Sequence, residues 1–168
     1  MYSISYMEGF AMFRTLIKRA LGYLTKENVP EEHSSVLRYE LTIIRFTPDP
    51  VQRTSTLSSG PAAATWIGAP LDTDCFIEAS VNEGKYSLGD FYLWCSGEYA
   101  VARIGEHRSH HASHPHNTFA IGKTITFKDD DGSLYTPSNE LVLPRELALS
   151  AMRAWLIDLK HPSFLRWS

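Results

Sequence analysis

A chain of 168 residues with a formal charge of −3 is long enough to bury about two-thirds of its unfolded surface, so no disulfide or metal staple is required. Apolar residues make up 43% and charged residues 21%, which excludes a disordered composition, and the mild negative charge excludes the basic footprint of a nucleic-acid-binding domain. Two cysteines, Cys75 and Cys95, exclude a disulfide-dense scaffold; they fit a reducing compartment and read as small buried hydrophobes.

The first segment, Met1 to Leu24, lacks a basic region followed by an unbroken apolar run, so it does not read as a secretory signal. Phe13, Leu16, Ile17, Ala20, Leu21 and Leu24 recur at helical spacing, which predicts a core-packing helix from about Ser5 to Leu24, with Pro30 breaking it. Val36 to Phe46 alternates as a strand: Leu37, Tyr39, Leu41 and Ile43 on one face, Arg38, Glu40 and Thr42 on the other. Thr47 to Ala64 is rich in Pro, Ser, Thr and Gly with little to bury, and is expected to be a long loop available for contact with a partner.

Cys75 to Val81 is the next expected strand. Phe91 to Cys95 and Tyr99 to Ile104 are read as the arms of a hairpin turned by Ser96, Gly97 and Glu98. A second hairpin is expected where Thr124 to Phe127 and Ser133 to Tyr135 flank Asp129, Asp130, Asp131 and Gly132, residue types that suit turns. Pro144 opens the final helix, Glu146 favours its positive end, and Leu147, Ala148, Ala151, Met152, Trp155 and Leu159 share a face until Pro162 stops it. No stretch approaches the roughly 18 apolar residues of a membrane span. Strands between terminal helices predict an α+β fold: an antiparallel sheet with an N-terminal and a C-terminal helix packed on it, in a single domain spanning residues 1–168.

The motifs of familiar chemistry are missing from the sequence: Gly-x-Ser-x-Gly, Ser-x-x-Lys, the phosphate-cradling and dinucleotide glycine loops, His-Glu-x-x-His and Cys-x-x-Cys. One tract stands out. His107, His110, His111, His114 and His116 are five of seven histidines. In a helix the first four would line one face and gather imidazoles around zinc, nickel or copper; in an extended segment His114 and His116 would point the same way. Against this metal-binding or metal-dependent hydrolase reading stands a solvated polar loop, since Glu106 is the only nearby acid to support such ligands. Trp66 and Trp167 are candidate interface anchors.

The ending Leu143-Pro144-Arg145-Glu146-Leu147-Ala148, then Ala151-Met152-Arg153-Ala154-Trp155-Leu156, then Pro162 and Trp167, resembles that of a family of bacterial immunity proteins (immunity protein family 1-like) from contact-dependent inhibition and polymorphic-toxin systems. The preceding Trp-containing strand, Gly turn and second strand, Leu93-Trp94-Cys95-Ser96-Gly97-Glu98-Tyr99, follow the same order, so the resemblance covers roughly Tyr86 to Trp167. The His-rich tract is not part of that pattern. The resemblance implies a cytoplasmic, non-enzymatic protein without cofactor, which blocks the active site of a cognate toxin C-terminal domain, often a nuclease or another nucleic-acid-modifying enzyme. The candidate toxin-binding residues are Glu98, Glu106, Asp129, Asp130 and Asp131, acids that complement a basic toxin site and hasten association, and Trp66 as an aromatic anchor. Neither direct nucleic-acid binding nor membrane attachment is expected. The sequence leaves the oligomeric state open.

Overall fold

The alternation over Leu37–Arg45 does form a strand, β1, with Tyr39, Leu41 and Ile43 buried. In the computed structural model the described residues are 36–46, 49–67, 74–105, 109–115, 120 and 122–168, all within a compact unit spanning 35–168. The helix expected over Ser5–Leu24 lies outside them. After β1 come β2 (Val51–Leu57), helix α1 (Gly60–Ile67), β3 (Cys75–Glu83), β4 (Tyr86–Ser96), β5 (Tyr99–Ile104) and β6 (His110–Ser113). Then follow the short strands β7 (Phe127–Lys128), β8 (Leu134–Tyr135) and β9 (Leu143–Pro144), helix α2 (Arg145–Asp158) and β10 (Arg166–Trp167). No described helix is long and apolar enough to cross a membrane.

The main sheet runs β10-β6-β5-β4-β3-β1-β2, and every pairing is antiparallel. Strands β6 and β9 share the outer edge of β5: β6 takes Arg103 and Ile104, while β9 takes Tyr99 and Ala100. Strands β7 and β8 pair as a separate hairpin. The architecture is therefore α+β with an antiparallel sheet, and one of its two described helices lies in the middle of the chain rather than at an end.

That central helix and the strand before it replace the long loop expected over Thr47–Ala64. Strand β2 pairs residue by residue with β1 from Tyr39↔Leu57 to Arg45↔Val51. It is an edge strand with no buried residue, so it lacks the apolar alternation that marks a half-buried strand, and its Thr and Val content suits the pleat only once β1 is beside it. Helix α1 starts on local signals that a Ser/Pro-rich segment disguises: the Ser59 hydroxyl and carbonyl accept from the Ala62 and Ala63 N–H groups (3.4 and 3.0 Å), and Pro61 sits in the first turn, where no N–H is needed.

Each face of the sheet carries a buried cluster. On one, Leu41, Ile77, Leu93, Ala102 and their neighbours pack against Ala63 and Ile67 of α1 and against Ala148, Met152, Trp155 and Leu156 of α2. The two helices meet where Gly60 abuts the backbone of Leu156: a Cβ at Gly60 would lie 2.2 Å from the Leu156 carbonyl oxygen. Only a residue without a side chain fits that approach. Helix α2 ends at Leu159, which takes the left-handed conformation (φ 52°) while its N–H donates to the Trp155 carbonyl (2.7 Å). On the other face Phe46, Phe76, Trp94, Val101, Phe127 and Val142 form a second, smaller cluster.

Candidate functional site

The second face carries the most specific polar geometry among the described residues. By alternation, Phe76 on β3, Trp94 on β4 and Val101 and Arg103 on β5 point away from the helices. Arg103 lies against a pair of aromatic rings whose centres are 5.9 Å apart, its guanidinium carbon 5.3 Å from the centre of Trp94 and 5.0 Å from that of Tyr135, and it donates to the Tyr135 hydroxyl. A half-buried cation over two rings gains more than an exposed one. Across the strand pair, Arg103 is in register with His111. Burial, and then the charges of Arg103 and His110, hold the His111 imidazole below its usual pKa.

Trp94 also tethers the acidic turn. Its indole Nε1–H donates to the Asp129 carboxylate (3.0 Å). From there the turn is bonded step by step: the Asp130 N–H donates to Asp129 Oδ1 (2.9 Å), the Asp131 N–H to Asp130 Oδ1 (3.0 Å) and the Ser133 N–H to Asp131 Oδ1 (2.8 Å). Backbone bonds from Asp129 to Ser133 and from Gly132 to Asp129 (both 2.9 Å) close it, and Gly132 supplies the required positive φ of 83°. The turn chemistry read from the sequence is therefore present. It leaves Asp130 and Asp131 exposed, with Leu134 74% exposed beside them.

The other candidate toxin-binding residues are elsewhere. Glu98 is exposed in the β4–β5 turn, where its carbonyl accepts from the Arg145 N–H (2.8 Å). Trp66 is half-buried on α1, packs into the helix-covered core and lies under the Arg53 guanidinium (5.3 Å). It thus belongs to the sheet face opposite the acidic hairpin, and the two do not form one surface. Glu106 lies outside the described residues. Trp167 is half-buried: it meets Phe91 edge-on at 5.9 Å and donates to the Pro162 carbonyl (3.0 Å).

The helical arrangement of histidines does not occur over His110–Ser113, which is strand β6. Successive side chains there point to opposite faces, so His110 and His111 are separated rather than gathered. His110 stands 5.6 Å ring to ring from His161, a histidine outside the tract. His114 lines a polar pocket of about 350 Å³ with Glu140 and Arg166. His107 and His116 lie outside the described residues, among which no group of three metal-ligand side chains occurs.

Sequence reasoning missed Arg103, Leu134 and Tyr135. Arg103 carried a signal, a charge at a position whose strand neighbours are apolar. Leu134 carried none, since its exposure follows from the hairpin's position over the sheet. Comparison with protein families, with curated proteins and with solved structures returned no match.

Proposed function

We propose that this protein is a cytoplasmic immunity protein that binds a cognate bacterial toxin C-terminal domain, a nuclease or another nucleic-acid-modifying enzyme, and neutralises it by occluding its active site, without being an enzyme itself. The observation that carries this reading is the β7–β8 hairpin. It presents two exposed carboxylates, Asp130 and Asp131, beside an exposed Leu134, on a turn held by side-chain and backbone hydrogen bonds and tethered to Trp94. A contact surface already held in shape loses little conformational entropy on binding. Its chemistry suits the basic surface with which a nuclease grips nucleic acid: the apolar tip contributes burial and the carboxylates speed encounter.

The test is co-expression and co-purification with the toxin domain encoded by the adjacent open reading frame. The expected result is a stable complex and protection of the host cell. With Asp130→Asn and Asp131→Asn combined, association slows by about tenfold at low salt and much less at high salt. Leu134→Ser quickens dissociation. Absence of both complex and protection overturns the reading, and a complex indifferent to these three substitutions removes the hairpin from it.

A further inference from the structure

Cys75 is the first residue of β3 and Cys95 the last but one of β4, and the two are directly opposite in the sheet. Both thiols are free and buried. The ladder defines what kind of pair they are. The Phe46 N–H donates to the Asp74 carbonyl across β1 and β3 (3.1 Å), so by alternation Cys75 turns its own N–H and carbonyl toward β4. Cys75 and Cys95 therefore occupy a hydrogen-bonded site, where Cα atoms lie about 5.5 Å apart, within the roughly 4.4–6.8 Å that a disulfide spans. Directly opposed Cβ atoms start about 4.5–5.5 Å apart and a disulfide draws them to about 3.8 Å, so the bond closes against the sheet and is readily reduced.

Two further observations set this pair apart from ordinary core thiols. The two thiols shift each other: interaction with Cys95 holds the Cys75 thiol below its usual pKa against the effect of burial, and the same interaction, with burial, pushes Cys95 up. The charges facing Cys75 are Arg145 at the start of α2, Arg45 at the end of β1 and Asp74 beside it; both arginines favour the thiolate and Asp74 opposes it. Among the described residues Arg145 is the only charged side chain in the buried class, at 8% exposure. The pair also forms the terminal rung of the β3–β4 ladder. Fraying of one rung, rather than unfolding of the sheet, brings it to solvent.

We propose that Cys75 and Cys95 are a thiol–disulfide modification site, closing to a reversible cross-strand disulfide with a low-molecular-weight disulfide such as oxidised glutathione as the oxidant. The Cys75 thiolate attacks one sulfur of glutathione disulfide; the S–S bond breaks and one glutathione leaves as a thiolate, which takes up a proton. Cys95 then loses its proton and attacks Cys75 of the mixed disulfide, releasing the second glutathione. Two protein thiols are oxidised by two electrons, and one glutathione disulfide is reduced to two thiols. Arg145 acts as a positioning residue, favouring the thiolate form of the attacking sulfur. This inference stands independently of the toxin-binding reading.

The experiment equilibrates the native full chain with mixtures of reduced and oxidised glutathione, quenches with acid, and counts thiols and mass. The expected product has no titratable thiol, a mass lower by two hydrogens and a Cys75–Cys95 cross-link in its peptide map, and it returns to the dithiol as reduced glutathione is restored. Cys95→Ser is expected to trap a glutathione adduct on Cys75. Arg145→Gln moves the rate–pH profile of closure to higher pH and Arg145→Lys restores it, a response that a merely structural arginine would not give. Wild-type protein that keeps both thiols under oxidising mixtures, or that collects two separate glutathione adducts, overturns the proposal.

Discussion

Replacing Gly60 by Ala tests the helix–helix contact that organises the covered face of the sheet. Gly60 is the first residue of α1 and adopts no positive φ, so its backbone conformation admits any L-residue. On intrinsic grounds alone the substitution stabilises, by about 0.4–1 kcal/mol through lost freedom of the unfolded chain. The structure reverses the sign. The new methyl would stand 2.2 Å from the Leu156 carbonyl oxygen and 3.1 Å from the Ile157 Cα, both backbone atoms of α2 that no side-chain rotation can move. About 1 Å of separation between the helices is needed to relieve the first contact, and this loosens Ala63 and Ile67 against Leu156. Overpacking of this kind costs about 1–3 kcal/mol; less the intrinsic gain, the net loss is about 1.3 kcal/mol, or roughly 3–5 °C in melting temperature for a unit of this size. Urea unfolding followed by tryptophan fluorescence measures it: the midpoint falls and the slope is unchanged. A midpoint equal to or above that of the wild type refutes the close approach.

Trp94→Phe keeps most of the ring but removes the indole donor to Asp129. Because Asp129 Oδ1 still accepts from the Asp130 N–H, the cost is at the low end for a bond to a charged group, about 1–2 kcal/mol. Amide hydrogen exchange is expected to quicken over Asp129–Ser133 before it does in β4; unchanged exchange there would remove the tether. For His111 the sign follows from its lowered pKa in the folded state: the unfolded chain binds the proton first, so stability falls as pH drops below the ordinary imidazole value of about 6.5 and levels off once pH passes below the folded value. His111→Gln removes that part of the slope, and urea midpoints at about pH 7.5 and about pH 5.5 should then lie closer together than in the wild type; an unaltered difference would refute it.

Those elements that carry their own burial pattern were legible in the chain. The alternation of Leu37, Tyr39, Leu41 and Ile43, the Gly97–Glu98 turn, the Asp-Gly turn at Asp129–Gly132 and the apolar face of α2 each follow from a local period or a local hydrogen bond, so the α+β class and two of its connections could be read directly. Strand β2 and helix α1 could not. The first is an edge strand with nothing to bury, and the second is eight residues long and begins with Gly and Pro, so neither shows the period that marks its type.

The proposed contact surface divides in the same way. That Asp130 and Asp131 belong to a turn was local information. Their rigid presentation with Leu134 depends on Trp94, thirty-five positions away from Asp129. The separation of Trp66 from these acids depends on which face of the sheet each occupies, and the pairing of Cys75 with Cys95 depends on the register of β3 against β4. A period along the chain specifies which side of a strand a residue takes; which residue stands opposite it is decided only when the strands come together.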